Sequence, residues 1–177
     1  MKDDKELPKA ITEHKNVSEL NIYSVKTENI HFPNVEWTHI SEATYYRLLI
    51  EDYIEKSLEN LIYLDCDVVC ITNPLKQLEV TLKEVKDSES IVGVLPEPGM
   101  FDYADNNYNL KNNYFNAGVM IIDFKKWIDE KPKNIFLQII KDYDAKLKYW
   151  DQDVLNIFFN NKYKTISKSL NFKVDME

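Results

Sequence analysis

The feature that most constrains the fold of this chain is an apolar run that ends abruptly in two carboxylates. The run covers residues 61–64, and Asp65 and Asp67 follow it, spaced one residue apart. Such a run predicts a strand buried on both faces of an open α/β sheet, where ligands bind at the carboxyl ends of strands. On an extended strand the two carboxylates would share a face, and Cys66 would point the other way. The run therefore predicts a strand that leads into a binding site.

The two carboxylates predict a metal site. Negative charges held this close repel each other unless a cation, or a proton shared between them, neutralises the charge. Oxygen ligands suit a hard divalent ion, Mn²⁺ or Mg²⁺, which usually binds substrate phosphates as well. The alternative is that Asp65 and Asp67 form only a solvated strand end or turn, because an Asp-x-Asp triplet by itself is a weak indicator.

Composition and charge are those of an ordinary globular domain, and they exclude several classes of protein. The chain has 177 residues, 44% of them hydrophobic and 29% charged, which predicts a single domain over residues 1–177. A net charge of −8 argues against nucleic acid as a partner, and an anionic substrate would need a bound cation. Residues 1–7 are too charged for a signal peptide, and no apolar stretch approaches the length of a bilayer. We therefore expect a cytoplasmic protein.

The chain has two cysteines, Cys66 and Cys70, which lie in or just after the predicted strand. They provide no disulfide framework, and no second Cys or His pair follows at the spacing of a zinc site. We therefore expect two buried thiols.

Strand and helix patterns alternate along the chain. Strands are predicted at residues 20–25, 35–40, 61–64, 91–95 and 118–123. Helices are predicted at residues 42–54, with Ser41 as the N-cap, and at residues 75–87, 133–143 and 153–159. A loop rich in Asn, Asp and Tyr is predicted from residue 96 to residue 114. This alternation predicts an α/β fold with a mainly parallel sheet and helices on both faces.

Asn116, Ala117 and Gly118 lie where the long polar loop meets the next apolar strand. Gly118 is one of only three glycines in the chain. Small residues let the backbone come close to a ligand, and an Asn amide can donate or accept a hydrogen bond to a sugar hydroxyl or a phosphate. The simpler alternative is a plain turn that leads into the strand.

Residues 150–153, Trp-Asp-Gln-Asp, begin the last predicted helix. Asp is favoured at the N-cap and in the first turn of a helix, so a structural cap is the simplest interpretation. One Asp would suffice for a cap, however. Gln152, beside Asp151, is a neutral polar group that a cap does not need.

Together these residues resemble glycosyltransferase family 8, the retaining transferases that include bacterial lipopolysaccharide galactosyltransferases and the glycogenins. The matching segments are residues 39–41, 44–48, 63–68, 114–119, 126–127 and 151–156. They follow the order and spacing of the family over residues 20–172. Such an order is hard to obtain by chance.

The resemblance implies a GT-A (Rossmann-like) fold with a mixed, mainly parallel sheet, kept here in part. It implies a UDP-hexose donor, such as UDP-galactose or UDP-glucose, and transfer to a glycan or lipopolysaccharide acceptor with retention of configuration. Asp65 and Asp67 would hold Mn²⁺ (or Mg²⁺), and Asp151 and Gln152 would be the catalytic residues at the reacting centre. Contacts with the donor are implied for Arg47, Asp65, Cys66, Asp67, Asn116, Ala117 and Gly118.

The chain departs from the family pattern near both ends. Ahead of residue 20 no strand ends in the Asp-rich turn that would hold the nucleobase and ribose. After residue 172 the family would continue to a His that completes the metal site and a Lys that binds the diphosphate. His14, His31 and His39 do not lie in that context. We therefore expect a fragment of a longer enzyme or a natural remnant, with weak metal binding and little activity of its own.

Two other classes of function remain open. The run that ends in Asp65 and Asp67 also fits the opening motif of haloacid-dehalogenase-like phosphatases, in which the first Asp is a nucleophile and the second a general acid or base. The other class is a non-catalytic assembly or interaction module. A sheet without its first strand exposes an edge that self-association as a homo-oligomer would cover. Any peripheral membrane association would come from the segments of the family that this chain does not match.

Overall fold

The computed structural model of the protein describes residues 13–33 and 41–173. The chain divides into two units, with the boundary between His31 and Phe32. In the first unit the described residues form turns and irregular backbone only, so the predicted strand at residues 20–25 is wrong. Leu20 and Ile22 are 43% and 51% exposed, and alternating apolar residues form a strand only when a sheet face buries them. The predicted strand at residues 35–40 lies outside the described residues.

The second unit is built on a four-stranded mixed sheet. Its strands are β1 (Asn60–Leu64), β2 (Val92–Pro96), β3 (Phe115–Asp123) and β4 (Tyr163–Thr165). They lie side by side in the order β1-β3-β2-β4. β3 pairs antiparallel with β1 and with β2, while β2 and β4 are parallel.

The prediction of a mixed α/β sheet is confirmed, but its description as mainly parallel is wrong for the strand pairs. β1, β2 and β4 run in one direction, as expected for strands joined by helical connections. β3 is inserted between β1 and β2 and runs in the opposite direction. Two of the three pairings among the described strands are therefore antiparallel.

Helices precede and follow the strands. In the described residues a 3₁₀ helix covers Glu42–Asp52, and the α-helices are α1 (Leu75–Lys86), α2 (Phe101–Tyr108), α3 (Phe124–Glu130), α4 (Lys133–Tyr143) and α5 (Trp150–Phe159). Short 3₁₀ turns occupy Pro98–Met100, Asp144–Lys146 and Lys168–Leu170. The helices predicted near these positions are confirmed, whereas α2 lies inside the predicted loop, and α3 and β4 are additional. None of the helices described is long and apolar enough to cross a membrane.

Both faces of the central strand β3 are buried. Val119 and Ile121 pack with Val85 of α1 on one face. Met120 and Ile122 alternate with them along the strand, so they point to the opposite face. Each of these two side chains is only 1% exposed. This burial agrees with the prediction of a sheet covered on both faces.

β1 is the edge strand of the sheet, which differs from the prediction. The apolar run predicts burial on both faces, whereas Ile62 and Leu64 are 40% and 54% exposed. Within the described residues β1 pairs with β3 alone. An apolar run thus identified the strand but not whether both of its faces are covered.

Lys126 of α3 stabilises the C-terminal end of α1. Its ammonium nitrogen lies within 3.3 Å of four backbone carbonyl oxygens, those of Val85, Lys86, Ser88 and Ser90. It also lies 3.2 Å from the carboxylate of the buried Asp123. The last carbonyls of a helix have no partner within the helix, and a cation at that end is favourable. One side chain therefore binds the end of α1 and the turn that follows.

We predict that Lys126→Met lowers the free energy of unfolding by about 2 kcal/mol, because hydrogen bonds from a charged group to these carbonyls are lost. Urea unfolding measures the loss. Lys125→Met is the matched control, since Lys125 is its exposed neighbour on the same helix. A surface change of this kind should alter stability by less than about 0.5 kcal/mol. Equal stabilities of the two variants would contradict the role assigned to Lys126.

Candidate active site

The predicted site residues meet where β1 ends, β3 begins and α5 starts. Leu64 at the end of β1 pairs with Val119, and the N–H of Asp65 donates to the carbonyl of Gly118 at 2.8 Å. The residues that follow β1 therefore lie beside the first residues of β3. The 3₁₀ helix Glu42–Asp52 packs against α5 and completes the cluster.

Arg47 lies at the centre of this cluster, and each of its guanidinium nitrogens lies close to a protein oxygen. Nη1 donates to the carbonyl of Ala117 at 2.6 Å. Nη2 lies 3.2 Å from Asp65 Oδ1, and Nε lies 2.5 Å from Asp151 Oδ2. The guanidinium carbon also lies 4.4 Å from the centre of the Tyr63 ring, a cation–π contact. One largely buried cation thus connects two carboxylates and the backbone of β3.

Asp151 is buried against the 3₁₀ helix. The hydroxyl of Thr44 donates to its Oδ1 at 2.6 Å, while Arg47 binds its other oxygen. Thr44 and Arg47 can both reach Asp151 because residues three apart share one side of a 3₁₀ helix. Burial raises the pKa of Asp151 to about 6, and the charge of Arg47 and the hydrogen bond from Thr44 oppose that rise.

The predicted capping role is wrong for Asp151. The N-cap position of α5 is Tyr149, and no side chain caps the helix there. The second carboxylate, Asp153, accepts hydrogen bonds from the Tyr149 N–H at 2.8 Å and from the hydroxyls of Tyr108 and Tyr114 at 2.7 and 2.6 Å. Burial, with the charge of Asp153, raises the pKa of both tyrosines, so they remain donors at neutral pH. Asp153 is therefore a structural anchor, and Asp151 faces the site.

Asp65 directly follows the last residue of β1 and is held through one of its two oxygens. The hydroxyl of Tyr63 donates to Oδ1 at 2.6 Å, and Arg47 binds the same oxygen. Oδ2 lies beside Gly118, where a Cβ atom would stand only 3.2 Å away. The absence of a side chain at Gly118 therefore lets this carboxylate oxygen lie close to the backbone of β3.

Asp67 and Cys66 lie in a turn rather than on an extended strand. The turn is closed by a hydrogen bond of 3.2 Å from the Val68 N–H to the Asp65 carbonyl, so the predicted shared strand face is wrong. Cys66 and Cys70 are both exposed. The prediction of buried thiols is also wrong, because the chain leaves the sheet before either cysteine.

Side-chain amides fix the first residues of β3. Three backbone N–H groups each donate to an amide oxygen: Phe115 to Asn156 at 2.7 Å, Ala117 to Gln152 at 3.0 Å and Gly118 to Asn116 at 2.9 Å. A backbone N–H can only donate, so these contacts determine which end of each amide is the oxygen. Asn156 is fully buried and also returns a bond to the Phe115 carbonyl at 2.9 Å.

Sequence reasoning identified most of the residues that meet here. Contacts join Arg47, Asp65, Asn116, Ala117, Gly118, Asp151 and Gln152, whereas Cys66 and Asp67 lie exposed in the adjacent turn. It assigned no role to Thr44, Tyr63, Asn156 or Asn171. The spacing of Thr44 and Arg47 could have indicated that they share one side of a helix. The contacts of the other three residues depend on tertiary structure.

The residues present fit a divalent cation in part. Asp65 and Asp67 offer the oxygen ligands that such ions prefer, and the contacts of Tyr63 and Arg47 with Asp65 both go to Oδ1 and not to Oδ2. Within residues 13–33 and 41–173 no group of three or more His, Cys, Asp or Glu side chains is placed to hold a metal ion. Water and substrate phosphates would have to complete the coordination, as they commonly do around Mg²⁺.

The raised pKa of Asp151 predicts a pH dependence of stability. Since its pKa is higher in the folded chain, this carboxyl stabilises the fold at about pH 4 and loses that contribution as the pH rises through about 6. Asp151→Asn has no carboxyl to titrate. We expect the free energy of unfolding of the parent chain to fall by about 2 kcal/mol relative to this variant between these pH values. Urea unfolding of both proteins across the range measures it, and parallel pH profiles would contradict the prediction.

The sequence of this chain is similar to those of known proteins. The sequence profile of "Glycosyl transferase family 8" matches residues 3–177. A lipopolysaccharide 1,2-glucosyltransferase of Escherichia coli is 35% identical over 133 residues, which cover 73% of this chain and 38% of that protein. A lipopolysaccharide 1,3-galactosyltransferase of Salmonella typhimurium is 29% identical over 142 residues, covering 76% of this chain and 40% of that protein. The chain thus spans less than half the length of these curated relatives.

Solved structures give the same result for the fold. The galactosyltransferase LgtC, in complex with donor and acceptor sugar analogues, matches with a TM-score of 0.66 and 26% identity over 77% of this chain and 48% of that chain. GlyE of Streptococcus pneumoniae matches in fold with a TM-score of 0.58 at 22% identity. These matches confirm the GT-A fold and leave the phosphatase alternative without support. Because the family profile covers nearly the whole sequence, this chain belongs to glycosyltransferase family 8.

Proposed function

We propose that this chain binds a UDP-hexose and a divalent cation at the end of β1, for transfer of the hexose to a glycan or lipopolysaccharide acceptor with retention of configuration. The observation that carries the proposal is the cluster in which Arg47 connects Asp65 to Asp151, beside the start of β3. The names of the Escherichia coli and Salmonella typhimurium relatives support the class of acceptor. The proposal includes the cytoplasmic location that the sequence predicts.

In this proposal Asp65 and Asp67 hold Mn²⁺ (or Mg²⁺). The bound cation would offset negative charge on the departing diphosphate. Arg47 and Tyr63 both bind Oδ1 of Asp65, which leaves Oδ2 as the oxygen for the cation. Cys66 lies between the two ligands, where its backbone would meet the diphosphate. Asp67 lies on an exposed turn and can approach the same ion.

The proposed catalytic residues are positioned by hydrogen bonds that also limit what they can do. Gln152 Oε1 accepts from the Ala117 N–H at 3.0 Å, so this oxygen is already bound in the free protein. Its Nε2 lies 3.4 Å from the hydroxyl of Tyr114 and is the end with capacity to donate to a substrate. Asp151, paired with Arg47, fixes the guanidinium beside the reacting centre. Asn116, Ala117 and Gly118 would line the hexose.

A second candidate function is a non-catalytic assembly module, and the surface near β1 favours it. Within the described residues the outer edge of β1 has no strand partner. Val69 and Ile71, which follow shortly after, are 79% and 89% exposed. Open edges and apolar patches of this kind promote association. A homo-oligomer would use this side of the domain.

Metal binding is expected to be weak without nucleotide, because two carboxylates alone must hold the ion. We predict binding of Mn²⁺ weaker than about 100 μM by titration calorimetry, and clearly tighter binding when UDP is present, since its phosphates add oxygen ligands. Asp65→Asn with Asp67→Asn should abolish both effects. Micromolar binding of Mn²⁺ alone, or a double variant that binds as well as the parent, would contradict the assignment.

Slow hydrolysis of the donor distinguishes an enzyme from an assembly module. With Mn²⁺ present, a working enzyme should release free hexose slowly from UDP-galactose or UDP-glucose, water replacing the acceptor, whereas we expect little release from residues 1–177. Asp65→Asn should remove this activity, and Gln152→Ala should lower it about tenfold or more, since each loses an interaction at the departing group. Lys125→Met serves as the control, because Lys125 is an exposed residue of α3. If the parent releases hexose no faster than Asp65→Asn, the assembly module becomes the better interpretation.

A further inference from the structure

Asn171 contacts the candidate site, although neither the motif nor the metal chemistry assigns it a role. Its Nδ2 donates to Asn116 Oδ1 at 3.1 Å. Asn171 is half-buried and directly follows the 3₁₀ turn Lys168–Leu170. That turn is attached to α1, because the hydroxyl of Ser169 donates to Gln77 Oε1 at 2.7 Å. The segment after β4 therefore brings a second asparagine to the start of β3.

The hydrogen bonds around Asn116 determine which end of its amide is available. The Gly118 N–H donates to it at 2.9 Å, so the bound atom is the oxygen Oδ1. The group of Asn171 that meets the same oxygen must then be its own amide nitrogen. These two donors use both lone pairs of Oδ1. Within the part of the chain that the structure describes, Nδ2 of Asn116 has no hydrogen-bond partner.

Close packing at Gly118 supports a fixed orientation. A Cβ atom at residue 118 would stand only 3.0 Å from Asn116 Oδ1, so the amide oxygen lies directly against the glycine. A flipped amide would place its NH₂ group against the Gly118 N–H, and these two donors would meet without an acceptor, which is unfavourable. The backbone donor therefore sets the orientation of the Asn116 amide, and the Asn171 NH₂ group, as a second donor to the same oxygen, holds the amide in it.

We propose that Asn171 is a positioning residue that locks the Asn116 amide with its NH₂ group toward the hexose of the sugar nucleotide. The site then offers a hydrogen-bond donor at this point, and the matching ligand atom is a hexose hydroxyl oxygen. The identity of that ligand rests on the proposed function, whereas the orientation of the amide does not.

The orientation is tested by NMR on the whole chain with Asn171→Asp and Asn171→Ala. The carboxylate introduced by Asn171→Asp attracts the NH₂ group of Asn116, so the amide turns and the Gly118 N–H loses its acceptor. We expect the Gly118 amide proton to exchange about tenfold faster with solvent, from the loss of one hydrogen bond. The Asn116 side-chain NH₂ resonances should shift as well, and Asn171→Ala should show smaller changes of the same kind.

Asn112→Asp is the control for added charge. Asn112 is exposed, and its φ of 60° is a conformation that Asp also tolerates. We expect this variant to leave the Gly118 exchange rate and the Asn116 resonances unchanged. If both Asn171 variants also leave them unchanged, the lock does not exist and the inference is overturned.

The ligand is tested by titrating UDP and UDP-galactose or UDP-glucose in Mn²⁺. We expect Asn171→Asp to weaken binding of the UDP-hexose about tenfold, as for one lost hydrogen bond, and to leave UDP binding within about twofold of the parent. A merely structural role would weaken both ligands alike, and that result would overturn the inference. If the parent binds neither ligand, the proposed function fails and the hexose assignment falls with it. The exchange rate of Gly118 would still decide the orientation of the amide.

Discussion

The buried ion pair between Arg47 and Asp151 connects parts of the domain that strand pairing does not. The 3₁₀ helix supplies the cation, α5 supplies one carboxylate, and the end of β1 supplies the other at Asp65. Removing one partner of such a pair typically costs about 3–5 kcal/mol, because a charge is left buried without compensation. The geometry of the site therefore depends on a contact between residues more than a hundred positions apart in the chain. Hydrogen bonds from Thr44 and Tyr63 then hold the carboxylates in place.

Local sequence patterns predicted those helices and strands in which buried apolar residues recur at regular spacing. The helices at Leu75–Lys86 and Lys133–Tyr143 and the strand at Val92–Pro96 agree with their predicted positions within one residue at each end. The wrong predictions have one cause. The spacing of apolar residues along a segment does not show which other segment it packs against. Residues 20–25 alternate like a strand without a sheet to join, and β1 is apolar although its outer face is open. The direction of β3 depends on the whole topology, which no local pattern contains.

The motifs indicated which residues meet at the site but not what each one does. Asp151 and Asp153 are neighbours on one helix, yet one pairs with Arg47 and the other with a group of tyrosines. That division follows from the direction of each side chain on α5. Asn171 lies 55 residues from its partner Asn116, and asparagine is common in turns. Nothing in the sequence distinguished it from a turn residue.

The ammonium of Lys126 has a further consequence for the far end of α1. Four carbonyl oxygens and one carboxylate surround it, and carbonyl oxygens are also what proteins offer to a dehydrated potassium ion. A shorter side chain such as that of Lys126→Ala would leave this oxygen shell with a negative potential and no cation. Potassium or ammonium ions could then enter it. The stability of that variant would then depend on the concentration of those ions by mass action.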